Sequence, residues 1–461
     1  MPGTDGAPAS DTLELARRAR RAGLKLQAVS TDKKNAALRA IHESLRVARQ
    51  RVLEANAADC AEAAQRGDVS GPALKRLDLS GAGKYDTLLA GVQQVERLAD
   101  PVGRVTLATE LAAGGPRLYR VSCPIGVLCV IFESRPDAAV QISTLGLKSS
   151  NAVLLKGGRE ALRTNRALVD AMRAGIAAEL GEEAADVVQL VSTRSEVAEL
   201  LQMDRYVDLV IPRGSNALVR YIQQNTTIPV LGHADGICMC YVDASADADM
   251  AAAVVLDSKT QYPAACNALE TLLCHKEAAE RGVLAQVAAT LLQHGVELRA
   301  EPRALSYLQD LSATKEGGGG RVVPATDDDF NTEFLALTAA VKVVDTLSDA
   351  MAHVNEHGSH HTDCIITQDA AAAEEFMAGV DSAGVYHNVS TRFADGFRYG
   401  FGSEVGVSTN RIHARGPVGL DGLVIYKYRL HGNGDLVTQF TDGKREFTHQ
   451  SLPLKLPAAG K

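Results

Sequence analysis

The sequence has no long run of lysine or arginine, and its formal net charge is −8. A nucleic-acid surface needs the opposite balance, which excludes DNA and RNA as partners. No uninterrupted apolar stretch is long enough to span a bilayer, so no membrane association is expected. Residues 1–10 lack a basic stretch followed by an apolar one, so they do not form a secretory signal and read as a short disordered lead-in. The eight cysteines (Cys60, Cys123, Cys129, Cys238, Cys240, Cys266, Cys274 and Cys364) are scattered through apolar segments and form no disulfide framework. The pair Cys238 and Cys240 has no second pair nearby, so no metal site is expected. Reduced thiols fit a cytoplasmic protein. There is no internal repeat, and no Gly-x-Gly-x-x-Gly marks a dinucleotide site.

What is present is ordinary globular composition, 46% hydrophobic and 23% charged, over 461 residues. That length predicts two or three domains. Residues 10–100 read as helical, with Leu13, Ala16 and Ala19, then Leu38, Ile41 and Leu45, at three- and four-residue spacing. Segments 104–109 and 118–132 are strand-like, with Gly114, Gly115 and Pro116 as the turn. From 125 to 242 strands alternate with helical runs. The strands are 127–132, 152–155, 187–190, 207–211, Val230 and 238–242, and the helical runs include 161–180 and 195–201. This predicts a parallel doubly wound sheet. Residues 245–420 repeat the alternation less regularly, and 316–321 reads as a flexible loop. The tail from Leu423 is strand-like again and is expected to pair with the 104–124 hairpin. A protruding sheet with free edges points to a homo-oligomer.

Cys266 stands between a Pro-bearing turn at Pro263 and a Leu-rich segment beginning at Leu269. Its polar, turn-forming neighbours make it reachable, unlike a packed thiol. A thiolate there can attack an activated acyl group or an aldehyde, although a buried structural cysteine is the commoner case. Its backbone N–H is the first donor for an oxyanion, with the Asn267 amide a weaker one.

Lys156, Gly157, Gly158 and Arg159 follow one apolar strand and open a helix. Glycines let the backbone approach a ligand, and a helix start favours an anion. Gly214 and Ser215 follow another strand in the same way, although Ser215 equally reads as an ordinary N-cap. Arg135 ends a further strand beside the same crevice. Arg392, and His413 with Arg415, lie in turn-rich loops, and cations in such loops suit a doubly anionic substrate.

Taken together, these segments resemble the γ-glutamyl phosphate reductase family of the aldehyde dehydrogenase superfamily. The matching stretches are 131–136, 147–153, 155–160, 208–216, 229–238, 262–272, 390–396 and 412–420. Ser150 and Ser403 stand where Gly or Ala is more usual. With no kinase domain ahead of it, the chain resembles the stand-alone form. The resemblance implies an α/β fold of three units: a Rossmann-type cofactor domain (1–103 and 126–240), a catalytic domain (241–422), and a small β oligomerisation unit (104–125 and 423–461). It implies NADPH as cofactor and Cys266 as nucleophile. It also implies Lys156 and Arg159 at the adenine-side ribose, Ser215 near the pyrophosphate and Glu333 at the nicotinamide ribose. The implied reaction reduces L-glutamyl 5-phosphate to glutamate 5-semialdehyde through a cysteine thioester, in proline biosynthesis. A contact with glutamate 5-kinase is a further implied partner.

Hydrolytic members of the superfamily carry a Glu that activates water. The equivalent stretch here, 230–236, has none, as a reductase that must keep water off its thioester requires. Two other readings stay open on the sequence. One is an NAD(P)-dependent oxidative aldehyde dehydrogenase producing a free acid. The other is a non-catalytic subunit that binds the kinase.

Overall fold

The computed structural model describes residues 11–67, 69, 71–191, 194–313 and 320–457. The lead-in 1–10 lies outside them, as does all but the end of the glycine-rich loop expected at 316–321.

Two parallel sheets organise the molecule. The first has the strand order Val188–Leu190, Ala152–Lys156, Val127–Phe132, Leu209–Arg213. Every residue of Val127–Phe132 and of Ala152–Lys156 is buried, as expected for strands covered on both faces. The helices Asp11–Leu26 and Thr31–Val47 supply part of that cover. Their expected apolar faces are the buried ones: Ala16, Ala19, Leu38, Ile41 and Leu45 share a core with Leu128, Val130 and Leu154. Ser30 caps the second of these helices by accepting from the Lys33 N–H, a contact worth about 1 kcal/mol.

The second sheet has seven parallel strands. Its central four, in spatial order, are Thr338–Val344, Leu269–His275, Cys238–Val242 and Thr362–Ile366. The strand expected at 238–242 therefore forms, but it pairs with Leu269–His275 and Thr362–Ile366 and not with the first sheet. Residue alternation along a chain cannot tell which sheet a buried strand joins.

A third, antiparallel sheet protrudes. Its order is Val424–His431, Arg117–Pro124, Val105–Glu110, Gln450–Ser451. The tail pairs with the hairpin as expected, from Val424 opposite Pro124 to His431 opposite Arg117. The long strand-like run at 118–132 is divided at Gly126, whose φ of +138° favours glycine. The residues before it serve the antiparallel sheet and those after it the first parallel sheet.

Candidate active site

The C-terminal ends of the first sheet bring three loops together. Ile131 is in register with Lys156 and Phe132 with Arg213, so the segments after Phe132, Lys156 and Arg213 leave one edge side by side. Both glycine turns lie here. A Cβ on Gly157 would meet the Asn165 side chain at 1.9 Å, and one on Gly214 would meet Glu133 at 2.5 Å. The Ser215 hydroxyl makes no cap bond, so the ordinary N-cap reading does not hold. The Ser215 N–H instead donates to the Glu133 carboxylate at 3.1 Å, which shows that this helix start takes an anionic oxygen. Lys156 is buried, and Arg159 lines a neighbouring cleft of about 430 Å³ with Arg163 and Arg166. These are suitable surroundings for a phosphate-bearing cofactor.

The second sheet presents its N-terminal ends. Cys266 lies three residues before Leu269–His275, Gly236 two before Cys238–Val242, and His361 one before Thr362–Ile366. These strands are neighbours, so the three residues converge. Gly236 packs so tightly on Cys266 that an added Cβ would lie 2.2 Å from its O and 2.6 Å from its Cα. Cys266 sits in a double turn closed by Ala265 N–H to Tyr262 O and Ala268 N–H to Ala265 O.

Two imidazoles hold the thiol. The Nε2 of His361 is 3.3 Å from Cys266 Sγ. His233 approaches on another side, its ring edge-on to that of His361 at 4.9 Å between centroids. His233 Nδ1 contacts Val407 O at 3.0 Å, which fixes that nitrogen as a donor and turns Nε2 inward. Burial opposes ionisation of Cys266. The charges and hydrogen bonds of His361 and His233 outweigh it and hold the thiol well below its ordinary range. Burial also disfavours charge on His233, but the facing thiolate and the Val407 bond raise it to about 9. Each group thus favours the charged form of the other, the environment in which a cysteine becomes a thiolate.

Cations surround this centre. Arg135 faces Cys266; burial, Arg213 and Arg76 all act to lower its pKa. Ser134 just before it takes φ +49°, and its N–H and hydroxyl both donate to Glu160, at 2.6 and 2.9 Å. Glu160 thus locks the strained turn that aims Arg135. Arg392 also faces Cys266, held by its Nε to Gln261 at 2.9 Å. Glu333 lies at the rim, where burial and then the Cys266 charge raise it to about 7, with the Gly236 N–H as donor.

Not every expected residue converges. Asn267 is buried, and its amide donates to Ala394 O at 2.8 Å, so it anchors the loop that carries Arg392. His413 is exposed and bonded to Gly422 O, and Arg415 is paired with Asp381 at 2.9 Å. Neither has a described interaction with Cys266. His233, His361, Arg76 and Arg213 were not singled out in the sequence. The only local signal was a histidine at 233, in the stretch where hydrolytic relatives carry their base.

A cysteine ahead of one parallel sheet, set opposite glycine turns at the C-terminal edge of another, is the arrangement of an aldehyde-dehydrogenase-like fold. No protein-family model matches the chain. A probable γ-glutamyl phosphate reductase of Schizosaccharomyces pombe is 51% identical over 432 residues, 93% of this chain and 94% of the relative. The crystal structure of γ-glutamyl phosphate reductase from Thermotoga maritima is 38% identical and superposes with a TM-score of 0.86, covering 93% of this chain and all of that one. An acetylating aldehyde dehydrogenase from Geobacillus thermoglucosidasius, 15% identical with a TM-score of 0.63 over 93% of this chain and 97% of that one, shares the fold. The chain belongs to the γ-glutamyl phosphate reductase family.

Proposed function

We propose that the protein reduces L-glutamyl 5-phosphate to glutamate 5-semialdehyde and phosphate through a thioester on Cys266, with NADPH as cofactor. The observation that carries this reading is the Cys266 thiolate set between His361 and His233 with Arg135 and Arg392 facing it.

The thiolate attacks the acyl carbonyl, and phosphate leaves with the electron pair of the broken C–O bond. Arg135, with Arg213 and Arg76 behind it, forms a cationic cluster suited to the departing phosphate. Arg392 is then the candidate for the substrate α-carboxylate. The Cys266 N–H has no acceptor among the described residues and remains available to the tetrahedral oxyanion. NADPH, when bound, would supply a hydride to the thioester carbonyl, and the Cys266 N–H would hold the resulting thiohemiacetal oxyanion. Collapse of that adduct breaks the C–S bond, and His361 and His233 receive the released thiolate.

The stretch 230–236, where hydrolytic relatives carry their Glu base, has no Glu here, which supports a thioester that water does not resolve. Lys156 and Arg159 would hold the adenine-side ribose, Gly214 and Ser215 the pyrophosphate, and Glu333 the nicotinamide ribose. These assignments place the cofactor on the unit of the first sheet and the nucleophile on the unit of the second, which already includes the strand Cys238–Val242.

The proposal extends to assembly. Tyr426, Tyr428 and Leu430 are exposed on the edge strand Val424–His431, and a second copy would cover them. A cytoplasmic site of action and a contact with glutamate 5-kinase, which would shelter a labile acyl phosphate, belong to the same reading. Among the described residues no helix is long and apolar enough to cross a membrane.

The test is Cys266→Ala. Turnover should vanish while the circular dichroism spectrum and thermal midpoint stay those of the wild type. Substantial residual activity would contradict covalent catalysis.

A further inference from the structure

The donor set around the nucleophile is also a metal-ligand set. His233, Cys266 and His361 each offer one ligand atom, and these atoms all lie within 4.8 Å of one another. Tetrahedral zinc takes thiolate sulfur at about 2.3 Å and imidazole nitrogen at about 2.0–2.1 Å, which puts neighbouring ligand atoms roughly 3.3–3.7 Å apart. The pair Cys266 Sγ and His361 Nε2 already stands at 3.3 Å.

Both rings are oriented from behind. His233 Nδ1 is tied to Val407 O at 3.0 Å and His361 Nδ1 to Thr362 Oγ1 at 2.9 Å. Such outer contacts fix the tautomer and direction of metal-binding histidines. The two rings meet edge-on at 85°, so their inner nitrogens converge on one region. Cys266 and His361 stand just ahead of strands of one sheet, and His233 lies in the segment five residues before Cys238–Val242 with its ring tied to Val407 O, so the fold brings three separate segments together. Three protein ligands leave a fourth position open.

We propose that this cluster binds a borderline-soft divalent cation, zinc above all, reversibly and at one ion per chain, and that the bound ion inhibits the enzyme by occupying the nucleophilic sulfur. Hard cations such as magnesium and calcium, which prefer oxygen ligands, should not bind here. The effect rests on the proposed role of Cys266, but binding itself does not, so the two are tested separately.

Cobalt(II) serves as the probe on the reduced full-length protein. One equivalent should produce the intense visible absorption of four-coordinate cobalt and a near-ultraviolet thiolate-to-cobalt band, and zinc should bleach both. Cys266→Ala should abolish the near-ultraviolet band. His361→Gln and His233→Gln should each weaken cobalt binding by about 10-fold or more. Cys123→Ala, on the antiparallel sheet, should leave the spectra unchanged. Circular dichroism checks that each variant is folded, and His361→Asn and His233→Asn replace any that is not. Activity should fall with zinc and return with a chelator. Absence of the bands, their survival in Cys266→Ala, or wild-type binding by both histidine variants would overturn the proposal. Tight cobalt binding in a protein without reductase activity would leave the metal site standing and remove the function proposed for it.

Discussion

Cys266 Sγ and His361 Nε2, 95 residues apart in the chain, stand 3.3 Å apart in the fold. That contact, together with His233, holds the thiol well below its ordinary range. Removing His361 leaves burial, the opposing influence, less balanced. His361→Ala should therefore move the pH midpoint of iodoacetamide alkylation at Cys266 upward. A charge-assisted hydrogen bond of about 1.5–3 kcal/mol corresponds to roughly one to two pH units. An unmoved midpoint would mean that His361 is a bystander.

Gly236 tests the same centre through packing. A Cβ at this position meets backbone of Cys266, which cannot swing aside as a side chain would. Gly236→Ala should displace the nucleophile and lower kcat/KM by about 100-fold or more, the scale of a 1 Å misplacement. Activity close to that of the wild type would show that the turn holding Cys266 has slack.

Lys259 and Glu270 form a fully buried ion pair at 2.7 Å beneath the active-site turn. Burial pushes Glu270 up to about 7 and Lys259 down, and each opposes that shift in the other. Lys259→Met strands a buried carboxylate and should cost about 3–5 kcal/mol in chemical denaturation. Lys259→Met combined with Glu270→Leu should recover most of that loss. A single variant as stable as the wild type would contradict the pairing.

His353 gives a pH signature. Burial first, then the neighbouring charges of Lys342 and His357, lower it from 6.5 to about 3. Between those values the unfolded chain binds a proton that the folded chain refuses. Stability contributed by neutral His353 is thus complete above about pH 6.5 and is lost progressively as the pH falls toward about 3. Every tenfold difference in proton affinity between the folded and unfolded chain is worth about 1.4 kcal/mol. His353→Leu should flatten the acid limb of urea midpoints measured across this range, and parallel limbs would remove His353 as the cause.

Much of this was legible in residue order. Leu38, Ile41 and Leu45 announced a buried helical face because burial selects that spacing. The turn around Cys266 announced a reachable thiol because Pro263 and Asn267 interrupt apolar residues. The pairing of Val424–His431 with the 117–124 strand followed from a strand-like tail and an earlier hairpin with a free edge. What was hidden depends on contacts across the fold. His361 reads as one of two adjacent histidines ahead of a buried strand, and nothing local says that its neighbour in space is Cys266. Arg76 lies in a short helix far from the catalytic segments and reaches Arg135 only through tertiary packing. Asn267 was read as a weaker oxyanion donor, but its amide donates to Ala394 O on the loop that carries Arg392, a partner that local sequence cannot show.

In the proposed reaction phosphate, and not water, exchanges with the Cys266 thioester. The reverse reaction tests this most directly. Purified protein is given pyrroline-5-carboxylate, the cyclised form of the semialdehyde, with NADP⁺, and NADPH is followed by absorbance with and without inorganic phosphate. NADPH should form only when phosphate is present, since residues 230–236 hold no Glu to activate water. NADPH formation at the same rate without phosphate would mean that water resolves the thioester, and the chain would be an oxidative aldehyde dehydrogenase.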